Sequence, residues 1–266
     1  MKLKTSVKYQ IFNHFMLVIT ASLGACSAPA VYYVCIAMNY ANEPVNAIMV
    51  IDGYDFIFVA IMIISAFYYY KKDLNLCFQL SNSRTGLFIS KLIVGIATSA
   101  VCSIISAFFC FGINSLCKSV INTSGFHIEL RPFFTETMYY KDYHTVYFFG
   151  KANNTEKILL GILMMFFAAT AVYIISLFIA SLFYRVTLLA KVLIMFVPFF
   201  IIYAGIPVID MFVTKGSLTE SYNNIIYTMF GMTYKSPLLM CMIFTGIGIL
   251  FSIGLYYIIK TTQIKR

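Results

Sequence analysis

The sequence predicts an all-α, polytopic membrane protein with six transmembrane helices, and three observations carry that prediction. First, 61% of the 266 residues are hydrophobic and only 11% are charged. A soluble domain has roughly 45–50% apolar and about 25% charged residues. A single core cannot hide that excess, so lipid must be the solvent for most of the surface. Second, six apolar runs reach the roughly 20 residues that a helix needs to cross a bilayer: residues 15–38, 48–70, 87–116, 158–184, 186–209 and 238–259. Third, the basic residues sort by side. With both termini cytoplasmic, the inside segments hold twelve Lys and Arg against one acid, Asp73, while the outside segments hold seven basic residues and nine acids. Short loops are where this positive-inside bias is reliable.

Taken in order, the elements read as follows. Ahead of the first span, Leu3, Val7, Ile11 and Phe15 recur every four residues with Lys4 and Lys8 beside them. That spacing predicts an amphipathic helix lying in the interface, although a plain basic flank reads equally well. Leu23-Gly24-Ala25-Cys26 mimics a lipoprotein cleavage box. The h-region of such a signal would carry Asn13 and His14, and the apolar run continues well past Cys26, so the segment reads as a span and not a signal. The third run is longer than a straight crossing requires. In the fifth, Pro198 and Pro207 predict a kink or an early end, and Lys191 can snorkel inward. Gly95, Ser99, Ser103 and Ser106 in the third run, with Gly246, Ser252 and Gly254 in the sixth, form small-residue faces suited to close helix approach. Two larger extracytoplasmic loops follow from this parse. Residues 117–157 form an aromatic-rich cap, and residues 210–237 include a partly apolar stretch too short to span. The chain reads as one transmembrane domain over residues 1–266.

The chemistry that the chain lacks narrows its function. No GxxxxGK[ST] phosphate cradle occurs, nor HExxH, nor GxSxG, so no catalytic residue, cofactor site or metal site is expected in this chain. The seven cysteines lie mostly in apolar runs and form no CxxC pair, which reads as buried packing. His14, His127 and His144 are far apart in sequence. His127, Glu129 and His144 share the outer side, where solvated loop residues are the stronger reading than a metal site. The net charge of +9 flanks apolar runs and forms no stripe on a soluble domain, which argues against nucleic acid. Charge inside the bilayer marks ion or proton pathways, and this parse finds the spans almost free of it. Asp52 and Asp55 sit at the outer end of the second span. Interfacial caps of that helix are the favoured reading, and an acidic mouth of a pathway is the functional one.

That leaves a transport-like body with no energy source and one odd segment, residues 71–91, KKDLNLCFQLSNSRTGLFISK. This short, polar, basic loop resembles the first cytoplasmic loop in the permease subunits of type-2 ATP-binding-cassette (ABC) exporters. In those proteins a coupling helix precedes a Ser-Arg pair, an aromatic and a Lys that opens the third span. Here residues 74–81 match the coupling helix, followed by Ser83-Arg84, Phe88 and Lys91. The six-span plan with cytoplasmic ends is also similar, while the 117–157 loop is longer than the family's short turn. The resemblance implies ATPase coupling through Leu74, Leu76, Phe78, Leu80, Ser83, Arg84 and Phe88. It implies Mg-ATP in separate ABC ATPase subunits, a second permease copy or paralogue, and export of an amphipathic substrate. Peptides, antimicrobials or toxins are favoured over drugs or lipids. Arg84 would offer charge-assisted bonds to an acidic partner surface, and Leu76, Phe78 and Leu80 a small apolar plug. Lys71 and Lys72 read better as lipid-headgroup anchors. A composition rich in Ile, Tyr, Phe, Asn and Lys, without Trp, points to the cytoplasmic membrane of a Gram-positive bacterium. The competing expectation is a stand-alone six-span peptide-immunity or regulatory binding protein with no ATPase. An intramembrane enzyme is disfavoured, because no paired catalytic residues lie in the bilayer.

Overall fold

Long helices dominate the chain, as the apolar runs require. The computed structural model describes residues 2–39, 48–52, 55–79, 83–121, 127–131, 139–141, 144–146, 154–201, 205–214, 217–218, 220–221, 224–225 and 237–261. The elements are α1 (Lys2–Asn39), β1 (Ile48–Asp52), α2 (Phe56–Gln79), α3 (Arg84–Ile121), β2 (His127–Arg131), β3 (Tyr139–Lys141) and β4 (His144–Val146), then α4 (Asn154–Arg185), α5 (Leu188–Phe200), α6 (Ile206–Ile209) and α7 (Pro237–Thr261). Helices α3, α4 and α7 each contain a stretch long and apolar enough to cross a membrane, Arg84–Phe109, Ile158–Arg185 and Leu238–Thr261. Among the described residues these are the three that meet that criterion, and they fit a membrane protein.

Local chemistry sets the boundaries. Helix α2 starts where the Asp55 carbonyl accepts from the Phe58 and Val59 amides at 3.0 and 3.3 Å. Helix α3 starts at an N-cap, with the Ser83 hydroxyl accepting from the Gly86 amide and its carbonyl from the Leu87 amide, both at 3.0 Å,. Pro237 opens α7, at the helical position where a missing N–H costs nothing,.

Several elements depart from the hydropathy parse. The run at 48–70 is divided: β1 takes its start and pairs in parallel with β2, Ile48 opposite His127 through Asp52 opposite Arg131. A second pair, β3 with β4, is antiparallel. In the run at 186–209, Ile201 and Gly205 are π-helical and residues 202–204 between them lie outside the described residues. Helix α5 is 13 residues long, about 20 Å at 1.5 Å per residue, and ends two residues beyond Pro198. The four-residue α6 and a π-helical turn at Asp210–Thr214 follow. The expected amphipathic segment and the start of the first run form one helix, because α1 is continuous over 38 residues. Its buried face is not the series that runs through Val7, Ile11 and Phe15, which are half-buried. It is Ser6, Gln10, His14, Val18 and Ser22, a parallel series three positions along.

Helix α4 packs against α2, α3 and α7, and α1 packs against α2 and α3. The core holds Phe58, Met62 and Tyr70 of α2, Cys102 of α3, Met164, Tyr173 and Leu177 of α4, and Leu255 of α7. Glycine lets the helices approach where it is needed. A Cβ at Gly95 would stand 2.4 Å from the Tyr173 ring, and one at Gly254 2.8 Å from the Phe178 ring. Gly246, in contrast, has open space around it. Some buried hydroxyls are met by their own helix, as with Thr98 on the Val94 carbonyl at 2.7 Å,, whereas those of Ser22 and Ser99 have no hydrogen-bond partner among the described residues. Large apolar side chains cover the outer faces, among them Tyr68, Phe108, Phe196 and Leu250. That is the pattern expected where lipid and not water is the neighbour.

Candidate functional site

One end of the bundle gathers most of the polar chemistry among the described residues. The start of α1, the end of α2, the start of α3 and the ends of α4 and α7 meet there. Helix polarity explains the gathering, since each apolar run closes with its polar residues at this end.

At the centre lies a buried ionic cluster. Lys91 of α3 donates to the Asp73 Oδ2 of α2, and both side chains are almost wholly enclosed, at 1% and 0% exposed. His14 of α1 places its Nε2 3.2 Å from the same oxygen. Its Nδ1 lies 2.6 Å from the hydroxyl of Ser65, about two turns before Asp73 on α2. Tyr69 stands against the imidazole at 4.7 Å between ring centroids, and Tyr173 of α4 meets it edge-on at 5.9 Å. A turn earlier on α1, the Gln10 amide donates to Ser6 at 3.0 Å and to Ser90 of α3 at 3.4 Å. Asp73 Oδ1 and the Tyr173 hydroxyl are buried without a hydrogen-bond partner among the described residues.

The partners dictate the proton positions. An ionised carboxylate only accepts, so Nε2 carries the hydrogen and Nδ1 is left to accept from the Ser65 hydroxyl. Asp73 and Lys91 cancel, leaving the cluster neutral while His14 is neutral. His14 lies one residue short of the first apolar run. Burial holds it below the usual histidine range and outweighs the pull of its bond to Asp73,.

A second set of contacts clamps the end of α7. Arg84, at the start of α3, donates to the Lys260 carbonyl. Arg185, at the end of α4, donates to the Ile258 carbonyl and to the Thr261 hydroxyl, the latter at 2.7 Å. The last carbonyls of a helix lack intrahelical donors, and cations there also meet the negative end of the helix dipole. Phe88 packs edge-on against Tyr256 of α7 at 5.4 Å. Lys72 lies over the Tyr69 and Tyr9 rings at 5.7 and 5.9 Å,.

The residues expected to couple to an ATPase are therefore distributed as follows. Residues up to 79 are not a separate coupling helix but the last turns of α2, and residues 80–82 of the expected coupling segment and its connection to α3 lie outside the described residues. Leu74 is buried in the core, and Leu76 is half-buried. Phe78 is helical, but its side chain, like Leu80 entirely, lies outside the described residues. Ser83 caps α3, Arg84 holds α7 and Phe88 packs on α7. Of the two acids expected near an outer mouth, Asp55 is buried at the start of α2, where its backbone caps the helix. Asp52 ends β1 in register with Arg131. His127 and His144 fall on strands of different pairs. Among the residues whose side chains are described, no group of His, Cys, Asp and Glu could hold a metal.

Hydropathy missed the ionic cluster. Asp73 reads as the lone acid of a basic loop, Lys91 as a flank and His14 as the edge of the first run. The correction is that all three are interior. Two signals in the sequence point inward: the four-residue spacing of Ser6, Gln10 and His14, and the presence of a single acid among twelve basic residues. No known protein family, curated protein or solved structure matches the chain.

Proposed function

We propose that this chain is the membrane-spanning subunit of an ABC transporter, exporting an amphipathic substrate with energy from Mg-ATP hydrolysed in separate subunits. A peptide, such as an antimicrobial or a toxin, is the favoured cargo. The observation that carries the reading is the cross-braced end of the bundle around the α2–α3 turn. Asp73 and Lys91 tie α2 to α3, His14 ties α1 to α2, Gln10 ties α1 to α3 through Ser90, and Arg84 ties α3 to α7. A displacement applied at residues 80–83 is thereby passed to four helices together. Passive anchoring to lipid needs no such bracing.

In this reading the ATPase seats on the end of α2 and the turn, through Leu76, Phe78 and Leu80. Arg84 braces the seat from behind. A second permease copy or paralogue completes the pathway. The membrane is the cytoplasmic membrane of a Gram-positive bacterium, with six spans, cytoplasmic termini and extracytoplasmic loops at 117–157 and 210–237.

The test is gentle purification of the full chain from its native host. An ABC ATPase should accompany the chain and be lost from the Leu80→Glu variant, with the chain still inserted. If no ATPase accompanies the chain and it binds a peptide by itself, the stand-alone immunity or regulatory reading replaces this one.

A further inference from the structure

The ionic cluster does more than brace helices. We propose that His14, wedged between Ser65 and the Asp73–Lys91 ion pair, is a proton-binding site whose occupancy loosens α1 from the α2–α3 hairpin. The inference is independent of any ATPase partner, and its test uses none.

The geometry defines both states. In the neutral state every polar atom of His14 is used, with Nε2–H on Asp73 Oδ2 and Nδ1 accepting from Ser65. An added proton goes to Nδ1. Ser65 must then turn its own hydrogen away and accept, so the best hydrogen bond of the ring is rebuilt. At the same time the charge of the cluster rises from zero to +1, in a site where His14 and Asp73 are both 0% exposed. The groups facing the imidazole cannot absorb that charge. From α2 come Asp73, already shared with Lys91, together with Tyr69 and the nearby cationic Lys72. From α3 comes Lys91, and from α4 Tyr173. On α1 itself the neighbour one turn back is the uncharged Gln10. One carboxylate therefore faces two buried cations once His14 is protonated. A buried uncompensated charge is relieved by admitting water. The helix that can give way is α1, which among the described residues is joined to this end of α2 and α3 through the same polar stripe.

Linkage fixes the sign and the size. With α1 open, His14 is hydrated and titrates near 6.5. With α1 closed, burial keeps it neutral to lower pH. The closed arrangement is fully stable above about pH 6.5 and loses stability as pH falls below it, by up to about tenfold in the opening constant per pH unit for one proton. No such slope follows if His14 is a packing residue only.

The test uses the full chain in phosphatidylcholine nanodiscs. Hydrogen exchange is followed over residues 4–16 at pH 7.5, 6.5 and 5.5, with intrinsic exchange rates divided out. The expected result is opening that rises by at most about twofold between pH 7.5 and 6.5 and by up to about tenfold in all between pH 7.5 and 5.5. The rise should vanish in His14→Gln and persist in the His127→Gln/His144→Gln double variant. That double variant also leaves His14 as the one imidazole for nitrogen NMR. This measurement is independent of whether His14→Gln folds, and it should report the Nε2–H tautomer at pH 7.5. Exchange that ignores pH, a slope that survives in His14→Gln, or an imidazolium or Nδ1–H tautomer at pH 7.5 would each overturn the proposal.

Discussion

The Asp73–Lys91 pair offers the sharpest quantitative test of the fold. Replacing Asp73 by Asn strands the Lys91 ammonium, and replacing Lys91 by Met strands the Asp73 carboxylate. Both groups are at most 1% exposed, so neither can recover water without opening the bundle. Leaving one member of a buried pair uncompensated costs about 3–5 kcal/mol. At 1.36 kcal/mol per decade, that is roughly two to four powers of ten in the folded-to-unfolded ratio. Removing both charges together should cost far less, because a buried pair replaced by neutral groups of similar size is often nearly neutral in stability. Asn at 73 also still offers His14 an acceptor. A double-mutant cycle should therefore give a coupling of about 3 kcal/mol or more, at the top of the range for contacting residues. The assay is reversible unfolding in mixed micelles titrated with sodium dodecyl sulfate, followed by tyrosine fluorescence. Single variants that each fall within about 0.5 kcal/mol of the parent, as surface changes do, would refute the buried placement of both residues.

Three further outcomes follow from the packing and the charge pattern. Gly95→Ala drives a Cβ to within 2.4 Å of the Tyr173 ring and should lose about 1–3 kcal/mol in the same assay, whereas Gly246→Ala, with open space, should be neutral or slightly stabilising,. Arg185→Ala removes the donor to the Ile258 carbonyl and the Thr261 hydroxyl. It should speed hydrogen exchange in the last turn of α7 by an amount matching about 0.3–2 kcal/mol, with α4 unchanged. Green fluorescent protein fused after Arg266 should fluoresce, and alkaline phosphatase fused there should be inactive. The opposite pair of results would place the C-terminus outside and defeat the six-span reading.

Much of the architecture was legible because bulk hydrophobicity is a property of composition. The runs at 87–116, 158–184 and 238–259 lie within α3, α4 and α7, since a backbone surrounded by lipid must satisfy its hydrogen bonds internally and a helix does so. The small residues Gly95 and Gly254 also lie at close helix contacts, as their faces suggested. The candidate site was less legible. Hydropathy ends a run at its first charge, so Asp73, Lys91 and His14 were assigned to loops and flanks. The helical backbone continues past those charges because each has its partner on a neighbouring helix. Likewise Ser83, Arg84 and Phe88 read as a motif for an external partner, and the structure also gives each of them a contact inside the chain.

What the sequence determined by itself is therefore the solvent. Its composition fits a chain whose neighbour is lipid, its long apolar runs fit helices, and no GxxxxGK[ST] motif occurs in it,. Which polar groups the helices enclose was decided only by the tertiary structure. His14, Asp73 and Lys91 come from three different helices. Arg84 reaches a carbonyl 176 positions away. Local periodicity sets which face of a helix a residue occupies. Only the packing of one helix on another determines whether that face meets lipid, water or an opposite charge.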